Sequence, residues 1–234
     1  GHWLNGRTSH EALAAVVSDL CHRHGVGPVD VSRVWGLVRG YDADLSSGVR
    51  GALQPLMLAF GMDAAEREGA LRFTMREGQC ATAIGREGVV AQDAPEADVA
   101  YTRGPLAETP DRVRLGFVRA RSDYRIGTTE AAFSDAGPDR PVTSELPLVL
   151  TDGEARGIAE RWLSEGRVAR DTARLSLPPS RLDVGPGDLV VLPDGGSYRL
   201  DRSELGAGQD LQAVRVETGV YAEPVEEEEP VALP

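Results

Sequence analysis

The sequence predicts a protein of the α+β class, in which small helix–strand modules precede an antiparallel β-barrel-like or sandwich domain crossed by one helix. Two stretches with helical spacing of apolar residues, each followed by a short extended stretch, open the chain. A third amphipathic stretch and four short strand candidates between Gly- and Pro-rich turns follow later. The predicted ranges are 3–100 for the α+β modules, 101–222 for the mainly antiparallel β domain and 223–234 for an acidic, disordered tail.

The first helix is predicted by apolar residues that recur at i, i+3, i+4, i+7 and i+8. These residues are Leu13, Val16, Val17, Leu20 and Cys21. Thr8 and Glu11 have the spacing of a capping box ahead of this helix. Gly25 is its expected end, and a short strand is expected from about Val29.

A second helix is predicted after the cap signal of Ser46 and Ser47, with Gly61 as its stop. Its apolar face consists of Val49, Ala52, Leu53, Leu56, Met57 and Phe60. Pro55 is expected to kink this helix or to delay its start. The stretch "GALRFTMREG" then alternates apolar and polar residues, which predicts a strand. The order helix–strand therefore occurs twice, as in an internal duplication, although no residue-level repeat supports one.

The middle of the chain is predicted to be extended. In "DRVRLGFVRARSDYRIGTTEAAF", three apolar residues alternate with two arginines and a glycine. The apolar residues are Val113, Leu115 and Phe117, and those between and before them are Arg112, Arg114 and Gly116. The range 125–133 resumes the extended pattern, and "SDAGPDRPVTSELP" is predicted to be a loop.

A third helix is predicted over residues 152–169, where Thr151 and Glu154 form a capping box. Its apolar stripe consists of Ala155, Ile158, Ala159, Trp162 and Leu163. We expect Ile158, Trp162 and Leu163 to pack against the C-terminal strands, with the charged face in solvent. Those strands are predicted at "ARLSL", "DLVVLP", "SYRLDR" and "DLQAVRVE".

The composition excludes several classes of protein. The net charge of −12 argues against nonspecific nucleic-acid binding over the whole surface, though not against a local basic patch. All 25 basic residues are arginine, a bias so complete that no single arginine is informative by its type. No apolar run approaches the roughly 20 residues of a membrane span. The two cysteines make no disulfide framework in a chain of this length.

No catalytic, cofactor-binding or metal site is expected from the motifs. Cys21, His22 and His24 invite a metal interpretation with Cys80, but their spacing fits no zinc motif, and Cys21 belongs to an apolar stripe. The glycine-rich "VGPGD" and "PDGG" lie between predicted strands, whereas a phosphate-binding loop leads from a strand into a helix. No G-x-S-x-G motif is present, and aromatic residues are only 5% of the chain.

The order of three segments is similar to that in phage tail-hub proteins. The segment "VRGYDADLSSGVRGALQPLMLAFGMDAAEREGALRFTMREG" resembles the helix, turn and strand of that family. The segment "DRVRLGFVRARSDYRIGTTEA" resembles its strand pair. The segment "GEARGIAERWLSEGRVARDTARLSLPPSRLDVGPGDLVVL" resembles its helix, strand and hairpin. Together they cover about residues 10–221, and the resemblance is greatest to the C-terminal half of the baseplate multidomain proteins, or megatrons, of gene transfer agents.

The resemblance implies a structural, non-enzymatic module of a phage-like tail tip, made in the bacterial cytoplasm. It implies assembly with other copies, as a trimer around the axial channel, and with neighbouring baseplate proteins, so that DNA passes through the assembly. It supplies no catalytic residue. Two alternatives stay open: a receptor- or glycan-binding module, for which Trp3 and Trp35 are the tryptophans outside any predicted element, and a cell-envelope hydrolase.

The densest basic stretch of the chain is the candidate contact surface. It consists of Arg112, Arg114, Arg119, Arg121 and Arg125. Equal subunits of charge −12 repel one another unless basic and acidic surfaces meet at each joint. We therefore expect this stretch to face a neighbouring subunit or the axial channel.

Overall fold

The computed structural model describes residues 7–8, 10–90, 99–120, 125–134, 141–206 and 208–221. In these ranges it contains the α-helices α1 (Leu13–Arg23), α2 (Gly48–Phe60) and α3 (Asp152–Val168). The strands form sheets of five, six, three and two members, and none of these sheets closes into a barrel. The predicted α+β class is confirmed.

The described ranges contain sixteen strands. The first seven are β1 (Arg7–Thr8), β2 (Glu11–Ala12), β3 (Val29–Arg33), β4 (Leu37–Val38), β5 (Tyr41–Asp42), β6 (Met62–Arg67) and β7 (Ala70–Met75). The next five are β8 (Thr82–Ala83), β9 (Val99–Arg103), β10 (Arg112–Arg119), β11 (Ile126–Ala132) and β12 (Pro141–Leu150). The last four are β13 (Asp171–Leu177), β14 (Leu189–Val191), β15 (Ser197–Leu205) and β16 (Gln209–Arg215).

Helix α1 buries every residue of its predicted stripe, but its predicted cap is wrong. Glu11 pairs with Val38 in the ladder between β2 and β4, so it belongs to a strand rather than to the first turn of the helix. Ala12 occupies the N-cap position without a side-chain hydrogen bond. The Leu13 amide instead donates to the Gly36 carbonyl at 3.0 Å, which satisfies one of the unpaired donors of the first turn.

Helix α2 ends where the sequence predicts, because Gly61 adopts the left-handed conformation with φ of 62°. Asp44 accepts a 2.9 Å bond from the Ser46 amide and begins the short 3-10 turn that leads into α2. Pro55 lies inside this helix. Strand β6 follows directly and was not predicted, because its sequence "MDAAER" is poor in β-forming residues. Its pairing with β7 along the entire strand compensates for that propensity.

The five-stranded sheet has the order β1-β5-β12-β10-β11. Its strand β12 occupies residues predicted to be a loop, so that prediction is wrong from Pro141 onward. Leu146, Leu148 and Leu150 are buried at every second position, and β12 pairs in parallel with β10. A parallel partner earlier in the chain is a long-range contact that local turn residues do not reveal.

Helix α3 begins with the predicted capping box: Glu154 and Thr151 exchange bonds of 3.1 and 2.8 Å. The prediction that it packs on the C-terminal strands is wrong. The helix follows β12 directly and crosses back over β10, β11 and α2. Ile158 and Leu163 therefore belong to the same core as the β10 residue Leu115, and Trp162 is only half-buried at its margin.

The six-stranded sheet has the order β8-β14-β15-β16-β13-β9 and encloses a second core. The four predicted C-terminal strands are all present in it, and β14, β15, β16 and β13 pair in antiparallel order. Tyr198, Leu200, Leu175 and Leu177 are among its fully buried side chains. This sheet therefore has its own apolar face, separate from the core that α3 completes.

A junction network of four charged residues connects the two cores. Arg76, directly after β7, donates to both Asp63 oxygens at 2.8 and 2.9 Å and to Glu165 of α3 at 2.8 Å. Arg199 of β15 lies 3.2 Å from the same Asp63. The four side chains are between 18% and 20% exposed, so solvent screens their charges poorly.

The junction network sets the ionisation of its own members. Burial opposes the charge of Asp63, but the hydrogen bond from Arg76 and the charges of Arg199 and Arg76 outweigh it, and the pKa of Asp63 lies below its ordinary value. Burial likewise opposes the charge of Arg76, and the bonds to Asp63 outweigh it and raise the pKa of Arg76. Both groups are therefore charged at neutral pH.

A second connection runs beside the junction network. Arg67, at the end of β6, donates to the Asp188 carboxylate at 2.6 Å and to the Asp183 carbonyl at 2.9 Å. The Asp188 carboxylate also accepts the Gly185 amide at 2.9 Å, which fixes the turn before β14. Strand β6 thus holds the six-stranded sheet through Asp63 at one end and Arg67 at the other.

Truncating Leu163 to alanine is expected to lower the free energy of unfolding by about 2–5 kcal/mol, because its side chain fills the core under α3. Urea unfolding followed by circular dichroism measures this change. Arg156→Ala is the matched control, since Arg156 is exposed on the same helix, and a change within about 0.5 kcal/mol is expected there. Equal stability of Leu163→Ala and the unchanged protein would contradict this packing.

The lowered pKa of Asp63 predicts a loss of stability in acid. Its folded pKa is below the unfolded value of about 3.9, so its contribution is present above about pH 4 and is lost as the pH falls towards the folded pKa. Asp63→Asn is expected to cost about 3 kcal/mol at pH 7, because Arg76 and Arg199 lose a charged partner.

Between pH 5 and pH 3, the free energy of unfolding of Asp63→Asn is expected to fall less than that of the unchanged protein. Chemical unfolding at each pH measures this difference. Asp30→Asn is the control, since Asp30 also has a lowered pKa and an arginine partner, Arg72, but in a more exposed pair. If Asp30→Asn lowers the free energy of unfolding as much as Asp63→Asn does, the junction network is no more important for stability than an exposed ion pair, and the prediction is wrong.

Candidate functional site

The predicted basic stretch is divided between the two ends of β10. Arg112 donates to Glu130 of β11 at 2.8 Å, and Arg114 donates to the same carboxylate at 2.8 and 3.1 Å. Arg114 and Glu130 are direct cross-strand neighbours in the register of β10 and β11. The bond from Arg114, helped by the charge of Arg112, holds the pKa of Glu130 below its ordinary value. Two arginines here share one carboxylate.

The other end of β10 carries a second group. Arg119 donates to Asp152, in the first turn of α3, at 2.9 Å. Its amide also donates to the Arg125 carbonyl at 2.9 Å, which brings Arg125 to the same end. Seven residues separate Arg112 from Arg119, or roughly 23 Å along a strand. Arg121 lies outside the described residues. The structure therefore brings these arginines together in two groups rather than in one continuous patch.

Strand β11, beside both groups, is an edge of the five-stranded sheet. Its first residue, Ile126, is 82% exposed, which makes it the most exposed large apolar side chain in the described ranges. Edge strands offer unpaired backbone donors and acceptors, and proteins usually protect them with charges, prolines or bulges. Within β11 itself, Glu130 is the charged residue, and it bonds back to β10. The backbone groups on the free edge of β11 are therefore available to a neighbouring strand.

A cavity of about 680 Å³ lies between α3 and the segment around β4. We call it the groove. Arg39 and Glu154 lie at one end, and Arg161 and Tyr221 lie at the other. Trp35, on its wall, is 50% exposed. The sequence did not predict this cavity, because its lining comes from five separate parts of the chain, and only the unassigned Trp35 pointed to it.

Both arginines of the groove are bonded within the protein. Arg39 donates to Glu154 at 3.0, 3.2 and 3.3 Å. Arg161 donates to the Leu58 and Ala59 carbonyls at 2.9 and 2.6 Å, so it caps the C-terminal end of α2. Burial lowers the pKa of Arg161. Burial, followed by the nearby Glu165 charge, raises the pKa of Tyr221. These groups hold the walls in place and form no nucleophile–base pair.

The cysteines and histidines do not form a metal site in the part of the chain that is described. No group of three or more His, Cys, Asp or Glu residues there is arranged to hold a metal ion. Cys21 is fully buried in the first core, and burial raises the pKa of its thiol. Cys80 is exposed, and His24 occupies the C-cap position of α1. No helix in the described ranges combines the length and apolarity needed to cross a membrane.

Comparison with solved structures relates this fold to phage-like particles. A chain from a structure described as the virion of a native gene transfer agent particle is 45% identical and superposes with a TM-score of 0.85. The match covers 97% of this chain and 52% of that chain. This protein therefore spans about half the length of its relative in the particle.

Two more distant structures share the fold alone. The prophage MuSo2 43 kDa tail protein from Shewanella oneidensis is 13% identical, with a TM-score of 0.59, and the match covers 92% of this chain and 68% of that one. A tail protein from Neisseria meningitidis MC58 is 14% identical, with a TM-score of 0.59, and the match covers 93% and 69%. A search among curated proteins found no match.

A family model described as "Putative phage tail protein" matches residues 49–203, which run from the start of α2 into β15. These residues include all four members of the junction network and the whole of α3. Because the match extends over more than half of the sequence, the chain belongs to this family of phage tail proteins.

Proposed function

We propose that this chain is a structural domain of a tail-tip baseplate or hub protein in a gene transfer agent particle. The observation that carries the proposal is the 45% identity to a chain of the gene transfer agent virion over 97% of this sequence. In that role the domain contributes to baseplate assembly around the axial channel and to DNA delivery. Its location is the tail tip of a virion-like particle assembled in the bacterial cytoplasm.

The arrangement of charges supports a non-catalytic role. Asp63 and Glu165, the two carboxylates of the junction network, both bond to Arg76. A catalytic acid needs a raised pKa, whereas that of Asp63 is lowered. Ion pairs between arginine and a carboxylate fix the positions of secondary-structure elements. A subunit that must keep its shape within an assembly requires such fixed positions.

The proposed partners are other copies of the chain, as a trimer, and neighbouring tail proteins. Three equal subunits form a ring through head-to-tail contacts that close by rotation. Each copy has a net charge of −12, so a joint is favourable only where basic groups of one copy meet acidic groups of the next. The end of β10 with Arg119 and Arg125 is the proposed contact, because it lies beside the exposed edge strand β11.

The two alternatives from the sequence differ in support. A receptor- or glycan-binding module is favoured by one observation, the half-exposed indole of Trp35 on the wall of the groove. Trp3 lies outside the described residues. For a cell-envelope hydrolase, no group of three or more His, Cys, Asp or Glu residues within the described ranges is arranged to hold a metal ion.

The proposed location is testable by labelling. A short epitope inserted at the exposed turn beside Gly195, between β14 and β15, is expected to leave both cores intact, because a side chain at Gly195 meets no neighbour within 4 Å. Immunogold electron microscopy of particles that carry this epitope is expected to label the tail tip. Labelling of the head or along the tail tube would contradict the proposal, and untagged particles are the control.

The proposed contact surface is testable by charge reversal. Arg119→Glu with Arg121→Glu, in the full-length protein, is expected to reduce particle assembly if these residues lie at a joint, or DNA delivery by intact particles if they line the channel. Arg50→Glu with Arg174→Glu is the matched control, because both residues are exposed and the change in net charge is equal.

Thermal melting of the purified double variant gives the necessary reference, because Arg119→Glu also places a like charge beside Asp152. Normal assembly and normal delivery with an unchanged melting temperature would show that these arginines are only solvated, and the proposed contact would be wrong. Equal defects in the control variant would assign the effect to net charge rather than to this surface.

A further inference from the structure

We propose that the groove is a docking site for this chain's own segment from Ala222 onward, which follows directly after the last described residue. Tyr221 lines one end of the groove. The short 3-10 turn Thr218–Tyr221 that precedes the segment packs against α3. The last described residue before that segment therefore lies at the groove itself.

The direction of the groove follows from its two ends. Arg161 and Tyr221 both lie against Gly61, since a Cβ placed on Gly61 is 3.7 and 3.8 Å from them. The opposite end is formed by Gly153 and by the pair between Arg39 and Glu154. Eight residues of α3 separate Arg161 from Gly153, or about 12 Å of helix. An extended chain covers that length in about four residues.

The first residues after Tyr221 match the groove in size and polarity. The first four, Ala222 to Val225, include the apolar Pro224 and Val225. Gly153 and Gly157 of α3 have no side chains, so a passing backbone is able to approach this face of the helix closely. Trp35 and Leu37, 50% and 53% exposed, supply apolar surface for those residues to cover.

The occupant is the chain's own segment rather than a second copy because it is tethered. A short tether keeps the segment at an effective concentration of roughly millimolar, above that of any free partner in a dilute sample. A segment with this acidic, proline-bearing composition has too few apolar residues to form a core by itself. An existing groove supplies the apolar contacts that such a segment lacks.

Disulfide trapping tests the contact directly in the full chain. With Cys80→Ser as background, Gly153→Cys and Val225→Cys are expected to form an intrachain disulfide under mild oxidation, detected by mass spectrometry of peptides. Glu204→Cys with Val225→Cys is the control, because Glu204 is exposed on β15, outside the groove, and no disulfide is expected. Equal trapping in both variants would overturn the proposal.

A disulfide between two chains, seen as a dimer on a non-reducing gel, would also overturn it, since the occupant would then be a second copy. Hydrogen exchange provides a test without cysteine substitution. The amides of Leu37 and Val38 are expected to exchange at least about threefold more slowly in the full chain than in a chain that stops after Tyr221. Identical exchange in the two chains, with equal thermal stability, would show that the groove is empty.

Discussion

Arg76 bonds to carboxylates from two elements of the first core, and the connection to the second core depends on the position in which it holds Asp63. Asp63 on β6 and Glu165 on α3 both accept from it, and Asp63 also approaches Arg199 on β15. A partly buried ion cluster is not a large net source of stability, because desolvation offsets most of the attraction. It is, however, costly to leave incomplete. We infer that the junction network mainly specifies how the two apolar cores are positioned.

The same network sets the far end of the groove. Glu165 lies beside Tyr221, and Arg161, one helical turn before Glu165, holds the last carbonyls of α2. The position of Tyr221 follows from the packing of α2, α3 and the 3-10 turn Thr218–Tyr221 around these charges. The junction network between the two cores thereby determines the shape of this end of the groove.

Local patterns in the sequence predicted elements, whereas pairing partners escaped prediction. The stripe of α1, the stripe of α3 apart from the half-buried Trp162, and the Thr151–Glu154 capping box are confirmed, because they depend on residues within one or two turns. Strand β12 was missed because its pairing with β10 depends on residues far away in the sequence. The junction network had no local signal either, since in a chain whose basic residues are all arginine neither Arg76 nor Arg199 is distinctive. The direction in which α3 crosses the sheet was wrong for the same reason.

The pairing of arginines with acids also limits how this domain contacts others. Arg112, Arg114 and Arg119 each have a carboxylate partner within the chain, so a neighbour gains little by approaching them alone. An edge strand has backbone groups that are free to bond to a neighbour, and exposed apolar side chains need no partner within the chain. Strand β11, which begins with Ile126, offers both, immediately beside Arg119. A contact in an assembled particle is therefore expected to use the β11 edge for affinity and the arginines at its end for orientation.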